Sequence, residues 1–486
     1  MSLIRNTTWS AVAAIMLTGG RFLMTMLLAR KLGVSEFGRF AFSQWLVDMV
    51  FLSLAFGVPG SASRFFAEFR TQSANLLAFE RWFLSRSFAV VAAVTVGSPL
   101  VALAFNREID LTFALLQAGW SASAAVLALL LARAQGLLQF KRVAISNGIY
   151  VVIALAGCAL LPKEGVPVSS AMLLVMIATA AAALAIWLPL PLSENERINV
   201  GSDLNRRMLK MFGMNIWITS LVSALVWSRG EIMIVRTELG VSDVAVYSIA
   251  LSLTGIATQG VMLLTGAIGP HLTQMWGAGK HDEAINLCRR ITDMFTLTTG
   301  IMSIFLIAFA PELIRLTFGP AYAEAEVALA ILGLGTIGLA SAAPNQLLQI
   351  KTNGVFARNA NFLGAVGLFG AAIPLVKLVG IDGAAMSRVF IQISVGMMTL
   401  YFACRLVSVN MVNWLNQAKL GLVIFVIVIF NFMGEHSLYI RALEFCISAP
   451  IIVFWLRDDD GYFIYSSLLK RFYTIFVNRK NGNSVN

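Results

Sequence analysis

Charge is scarce in this chain. Only 13% of its 486 residues are Asp, Glu, Lys or Arg, where soluble domains carry roughly a quarter. That shortage excludes a water-soluble globule. Catalytic vocabulary is thin as well: the only histidines are His271, His281 and His436, and no His-Glu-x-x-His, Gly-x-Ser-x-Gly or phosphate-binding loop occurs. Cys158, Cys288, Cys404 and Cys446 lie in or beside apolar runs, with neither a disulfide framework nor metal-ligand spacing. The best enzyme candidate is Asp458, Asp459 and Asp460 in RDDDGYF, since Asp-x-Asp can hold a metal and a nucleotide sugar. No soluble domain surrounds it, so it reads as a solvated cluster ending the last helix. The chain is therefore not expected to be an enzyme, and no cofactor is expected.

What is present is apolar sequence: 58% hydrophobic residues with a mean hydropathy of +0.80. Runs of about 20 residues, enough to cross a bilayer as helix, fall at 7–28, 40–58, 83–105, 111–131, 145–161, 171–190, 211–235, 244–268, 291–310, 328–347, 357–376, 383–404, 414–433 and 438–455. The expected fold is an all-α polytopic membrane protein of about fourteen transmembrane helices. The first run is too long for a cleaved signal and carries Arg21, so it reads as a retained helix.

Orientation follows from the 36 Lys and Arg residues. With the N-terminus inside, 24 of them fall on cytoplasmic segments and 9 on outer ones, leaving Arg21, Arg229 and Arg388 within helices. Both termini are thus expected in the cytoplasm, and the net charge of +11 is mainly a topology signal. The basic residues are dispersed over many loops, which argues against a nucleic-acid partner. A basic tail with aromatics, Arg457 to Asn486, is suited to the anionic lipids of the inner leaflet.

The chain also repeats itself. LGVSEFGRF at 32–40 returns as LGVSDVAVY at 239–247, each copy between two long apolar runs. This predicts two pseudo-symmetric six-helix lobes, 1–197 and 198–405, joined by the polar segment from Pro191 to Lys210, with two extra helices and the tail over 406–486. Within the repeated motif, Ser35 and Ser242 are expected as N-caps and Glu36 and Asp243 as first-turn acids.

Embedded charges are the candidate site. At 1.5 Å rise per residue, Arg21 and Asp48 each lie roughly 13 Å from the outer surface, on consecutive helices. Arg229 maps within one residue of Arg21 under the repeat, so each lobe carries an arginine at matching depth. Such a guanidinium needs an ion pair, an anion or a water-filled cavity. Arg21 and Asp48 are read equally as a structural ion pair or as cavity-lining groups. Glu231, two residues from Arg229 and so on nearly the opposite face, pairs elsewhere or couples H⁺ or Na⁺. Arg388 is shallow enough to snorkel, and Arg64 in PGSASRFF stands near the cytoplasmic mouth. Trp217 and Trp227 are suited either to sugar stacking or to ordinary helix packing.

The stretch LLARKLGVSEFGRFAF, with ARAQGLLQF at 132–140 and FGPAYAEA at 318–325, resembles bacterial oligosaccharide flippases, the polysaccharide-transporter branch of the multidrug/oligosaccharidyl-lipid/polysaccharide exporter superfamily. One departure is Ala245 in the second copy where the first has Gly38. The resemblance implies two six-helix bundles working by alternating access in the bacterial inner membrane. The implied cargo is an oligosaccharide on undecaprenyl pyrophosphate, flipped to the periplasmic leaflet for O-antigen (lipopolysaccharide), capsule or exopolysaccharide assembly. It implies a monomer, with a polysaccharide polymerase or chain-length protein as a partner. Substrate contact then falls to Arg21, Arg229, Arg64 and Arg388, and coupling or pairing to Asp48 and Glu231. The alternatives are a cation-coupled multidrug exporter of the same fold and, less favoured, a membrane glycosyltransferase or polymerase, for which a large external loop is missing.

Overall fold

A computed structural model describes residues 2–69, 73–105, 110–187, 206–352, 355–407, 414–432 and 438–455. The described residues are helical almost throughout and contain no strand. Much of the Pro191 to Lys210 linker, the Asp458 to Asp460 cluster and the tail lie outside the described residues.

The described residues of every predicted apolar run are mostly helical. The first two share α1 (Ser2–Leu54), which bends at Gly33, where φ is 73°. A short break at 55–57 leads to α2 (Val58–Glu68), followed by α3 (Ser73–Phe105), α4 (Leu111–Gly136), α5 (Phe140–Leu160) and α6 (Val168–Ile186). The seventh run is divided into α7 (Arg206–Ala224), one π-helical turn over Leu225–Arg229, and α8 (Glu231–Glu238). Then come α9 (Val241–Gly277), α10 (His281–Ala308), α11 (Ala310–Thr317), α12 (Ala325–Gly335), α13 (Ala342–Lys351), α14 (Val355–Val379), α15 (Ile381–Val407), α16 (Trp414–Phe432) and α17 (Leu438–Trp455). Among the described residues, eleven stretches are long and apolar enough to cross a membrane. One of them, Thr8–Leu54, holds two runs, and the apolar α16 and α17 bring the total to the expected fourteen.

The chain forms two compact units: unit 1, Met1–Ile249 with Thr317–Tyr322, and unit 2, Ala250–Leu316 with Ala323–Asn486. The repeat divides the chain at 197/198, whereas unit 1 also takes in α7, α8 and the start of α9. In unit 2, α10 forms a core with α16 and α17 through Leu297, Ile304, Ile307, Leu420, Ile424, Ile427 and Ile452.

The repeated motif turns on glycine, not on serine. Gly33 makes the bend in α1, and α9 begins at Val241 directly after Gly240 (φ 156°), so Ser35 and Ser242 sit inside helix. Asp243 does occupy the first turn of α9. The two copies touch: a methyl group on Gly38 would collide with the Val241 carbonyl. This accounts for glycine at 38, while fully buried Ala245 accommodates its methyl.

The other two motifs also have packing roles in unit 1. In ARAQGLLQF, Arg133 reaches Glu80 at 2.9 Å, both side chains being nearly buried. In FGPAYAEA, the Tyr322 hydroxyl donates to the Ala29 carbonyl at 2.8 Å, and Phe318 and Tyr322 meet Phe22 and Phe37 edge-on. Arg30 donates to the Thr317 carbonyl at 2.8 Å and completes the dock.

Breaking a buried ion pair from one side strands a charge, at a cost of about 3–5 kcal/mol. Arg133→Ala should therefore lower the thermal unfolding midpoint and membrane abundance sharply. Glu80→Gln with Arg133→Met should recover most of both. Unfolding of the detergent-purified variants is the measurement, and a single mutant as stable as the parent refutes the prediction.

Candidate functional site

Unit 1 gathers the embedded charges of α1 and the π-turn around one carboxylate. Arg21 precedes the Gly33 bend and Asp48 follows it, so the fold-back of α1 sets the two side by side. Arg229 ends the π-turn and is the second cation acting on Asp48. Asp48 and Arg21 are exposed and Arg229 is half-buried. Charges embedded in apolar helices require an ionic partner, an anion or a water-filled cavity.

The structure adds a fourth member, Tyr150 of α5. The Arg21 guanidinium carbon lies 5.8 Å from the Tyr150 ring centroid, over the aromatic ring. Tyr150 is buried, and its hydroxyl also approaches the Met24 sulfur at 3.6 Å. Close packing of α1 on α5 is fixed nearby by Asn147, whose side-chain amide donates to the Ala13 carbonyl at 3.1 Å. The aromatic ring thus braces the Arg21 guanidinium from one side.

Arg21 and Asp48 do not form a contact ion pair: among the described residues, no nitrogen of Arg21 comes within 4.0 Å of a carboxylate oxygen. The purely structural locking pair is therefore not what the geometry contains. The cluster brings two guanidinium groups to act on one carboxylate. It suits an anion with several oxygens, for which planar guanidinium forks are well matched.

The π-turn ends at Arg229, and Glu231 opens α8. The i→i+5 hydrogen bonding of the turn is wider than an α-turn, and such turns are frequent at functional sites. A methyl group on Gly230 would collide with the Leu225 carbonyl, so the turn requires glycine there. Beyond it, Glu231 is completely buried while Arg229 keeps some exposure.

The remaining candidates lie elsewhere. Arg64 is exposed on α2, pairs with Glu68 at 3.4 Å and stacks on Phe212 at 4.4 Å. Arg388 belongs to unit 2, on α15, where it is 8% exposed. Trp217 has a structural engagement: its indole donates to the Leu52 and Ser53 carbonyls at 3.0 and 3.1 Å, which the break after α1 leaves open, and its ring meets Phe56.

Comparison with known proteins gives the lineage. A profile of the family described as "Polysaccharide biosynthesis protein" matches residues 3–276, more than half of the chain. The chain belongs to this family. A MatE profile also matches residues 219–353 of this polysaccharide biosynthesis protein. No curated protein matches the sequence.

Solved structures agree on the fold. A multidrug resistance MATE family transporter of the MOP superfamily, in its inward-facing conformation, superposes with a TM-score of 0.62 at 15% identity, covering 83% of this chain and 94% of that one. A MOP superfamily transporter from Pyrococcus furiosus, described as having a binding pocket of reverse polarity that suggests a different function, gives 0.60 at 16%, covering 84% and 95%. A mutant of the Vibrio cholerae MATE transporter VcmN gives 0.56 at 17%, covering 84% and 97%. The protein is thus a multi-pass membrane protein with the fold of these MATE and MOP superfamily transporters.

Proposed function

We propose that this protein flips undecaprenyl-pyrophosphate-linked oligosaccharides from the cytoplasmic to the periplasmic leaflet of a bacterial inner membrane by alternating access, supplying O-antigen, capsule or exopolysaccharide assembly. The observation that carries the reading is that two embedded arginines act on Asp48, Arg21 beside the Tyr150 ring and Arg229 at the end of a π-turn. A sugar-pyrophosphate head crossing hydrocarbon would leave many polar groups without hydrogen bonds, so it needs a polar, cationic route. A multidrug exporter is the second reading, supported by the MatE match at 219–353. Two arginines acting on one carboxylate would disfavour amphiphilic cations as cargo. In the flippase reading, Arg21 and Arg229 contact the head group, Arg64 and Arg388 are auxiliary sites, and Asp48 or Glu231 couples H⁺ or Na⁺.

The direct test is reconstitution into liposomes carrying a lipid-pyrophosphate oligosaccharide on one leaflet, with transbilayer movement read by access of a glycosidase. Movement dependent on the protein supports the reading. Cation-driven efflux of amphiphilic drugs without lipid movement selects the exporter. Sidedness is tested separately: reporter fusions at Arg197 and near Asn486 should both report cytoplasm, because 24 basic residues against 9 favour it. A periplasmic signal from either reverses the proposed topology.

A further inference from the structure

Unit 1 contains a second polar feature, a cavity of about 350 Å³ near the Gly33 bend. Its walls include Glu36, Arg39 and Phe42 of α1, Asp110 before α4, Phe113 of α4 and Arg236 of α8. None of Arg21, Asp48, Tyr150 or Arg229 lines it. Its size lies in the range of about 300–1,000 Å³ common to small-molecule sites.

The charges in this cavity are unevenly satisfied. Glu36 places one carboxylate oxygen 3.3 Å from Arg39 and accepts the Val168 amide with the other at 2.9 Å. Asp110 is the N-cap of α4 and accepts the Phe113 amide at 2.8 Å. Both acids are therefore engaged, and Arg39 already has its counter-ion. Arg236 has none: among the described residues, no carboxylate oxygen lies within 4.0 Å of its guanidinium. It stacks instead over the buried Phe42 ring, 5.6 Å from the centroid, which holds the fork in place while leaving its edge donors unused. Burial first, and then the charge of Arg39, push the Arg236 pKa below the usual arginine value. An incoming anion would relieve both.

We propose that this cavity is an oxyanion site, taking a carboxylate or phosphate group on a sugar-sized ligand, with Arg236 as its main partner and Phe42 as the platform that fixes it. The site stands on its own geometry. That the anion belongs to transported cargo, as the acid group of a sugar or the phosphate of its lipid, rests on the flippase reading.

Binding of glucuronate, inorganic phosphate and glucose to the full-length protein in nanodiscs, followed by saturation-transfer NMR, tests this. Glucuronate or phosphate should bind and glucose should not. Arg236→Gln should weaken the anion by about tenfold or more, the loss of one charge-assisted contact. Lys163→Gln, which removes an exposed cation outside the cavity lining, should change nothing. In the unaltered protein, the same anion should protect Arg236 from phenylglyoxal, read by peptide mass spectrometry, so the test survives a variant that fails to fold. Glucuronate alone identifies an acidic sugar, phosphate alone a phosphate group, and both a general oxyanion site. Failure of both anions to bind and protect Arg236, or glucose binding equally in the parent and Arg236→Gln, overturns the proposal. If Arg236-dependent binding persists while no lipid-linked sugar moves, the flippase reading fails and the site stands.

Discussion

Arg229→Ala should abolish transport of lipid-linked oligosaccharide while leaving the amount of folded protein in the membrane essentially unchanged. The charge is half-exposed beside Asp48, not packed into a core, so its removal leaves no cavity of the kind that makes large-to-small core changes costly. What disappears is one of the two guanidinium forks that act on Asp48. Arg229→Lys keeps the charge and loses the fork, so it should retain partial activity. Gly230→Ala should resemble Arg229→Ala in activity although no charge is touched, because its methyl collides with the Leu225 carbonyl and displaces the turn that presents Arg229. A cysteine at 229, in a background without the four native cysteines, should react with a water-soluble thiol reagent. Resistance to the reagent in every transport state, or normal flipping by Arg229→Ala, would remove Arg229 from the mechanism.

The sequence and the structure agree most closely where physics leaves few options. A run of about 20 apolar residues has no stable place in a bilayer but a helix, and the described residues of the fourteen runs are mostly helical. That Arg21 and Asp48 lie near one another was also legible, because the rise per residue is constant: counting nine residues from Arg30 and from Arg39 reaches the two residues, which do act on one another. What counting cannot supply is lateral geometry. It left an Arg21–Asp48 contact pair open, whereas the oxygens stay beyond 4.0 Å and Tyr150 stands beside the guanidinium instead. Tyr150 carried no signal in the chain, being one tyrosine in an apolar run whose facing is decided by how α5 packs on α1. The π-turn was equally hidden, because its hydrogen bonding is visible only in coordinates. The serine caps failed for a local reason: glycine at 33 and 240 adopts positive φ cheaply, so the turn is made before the serine is reached.

Arg21→Ala combined with Asp48→Asn should yield a folded, abundant and inactive transporter. If the two residues were a structural pair, the single Arg21→Ala change would strand a buried carboxylate and lower protein level, and neutralising Asp48 would restore both protein and transport. The geometry points the other way. No contact pair joins them, both side chains are exposed, and Asp48 keeps Arg229 as a second cation when Arg21 is lost. Arg21→Ala alone should therefore leave membrane abundance within about twofold of the parent, a change worth under 1 kcal/mol. Transport should nevertheless collapse, because the fork braced by the Tyr150 ring is gone. Asp48→Asn alone separates two remaining roles: retained transport makes Asp48 a passive counter-charge for the arginines, and lost transport with normal abundance makes it part of the coupling cycle. Measuring membrane abundance beside polymer output for the three variants decides among these. Recovery of output in the double mutant would restore the structural-pair reading and take the anion away from Arg21.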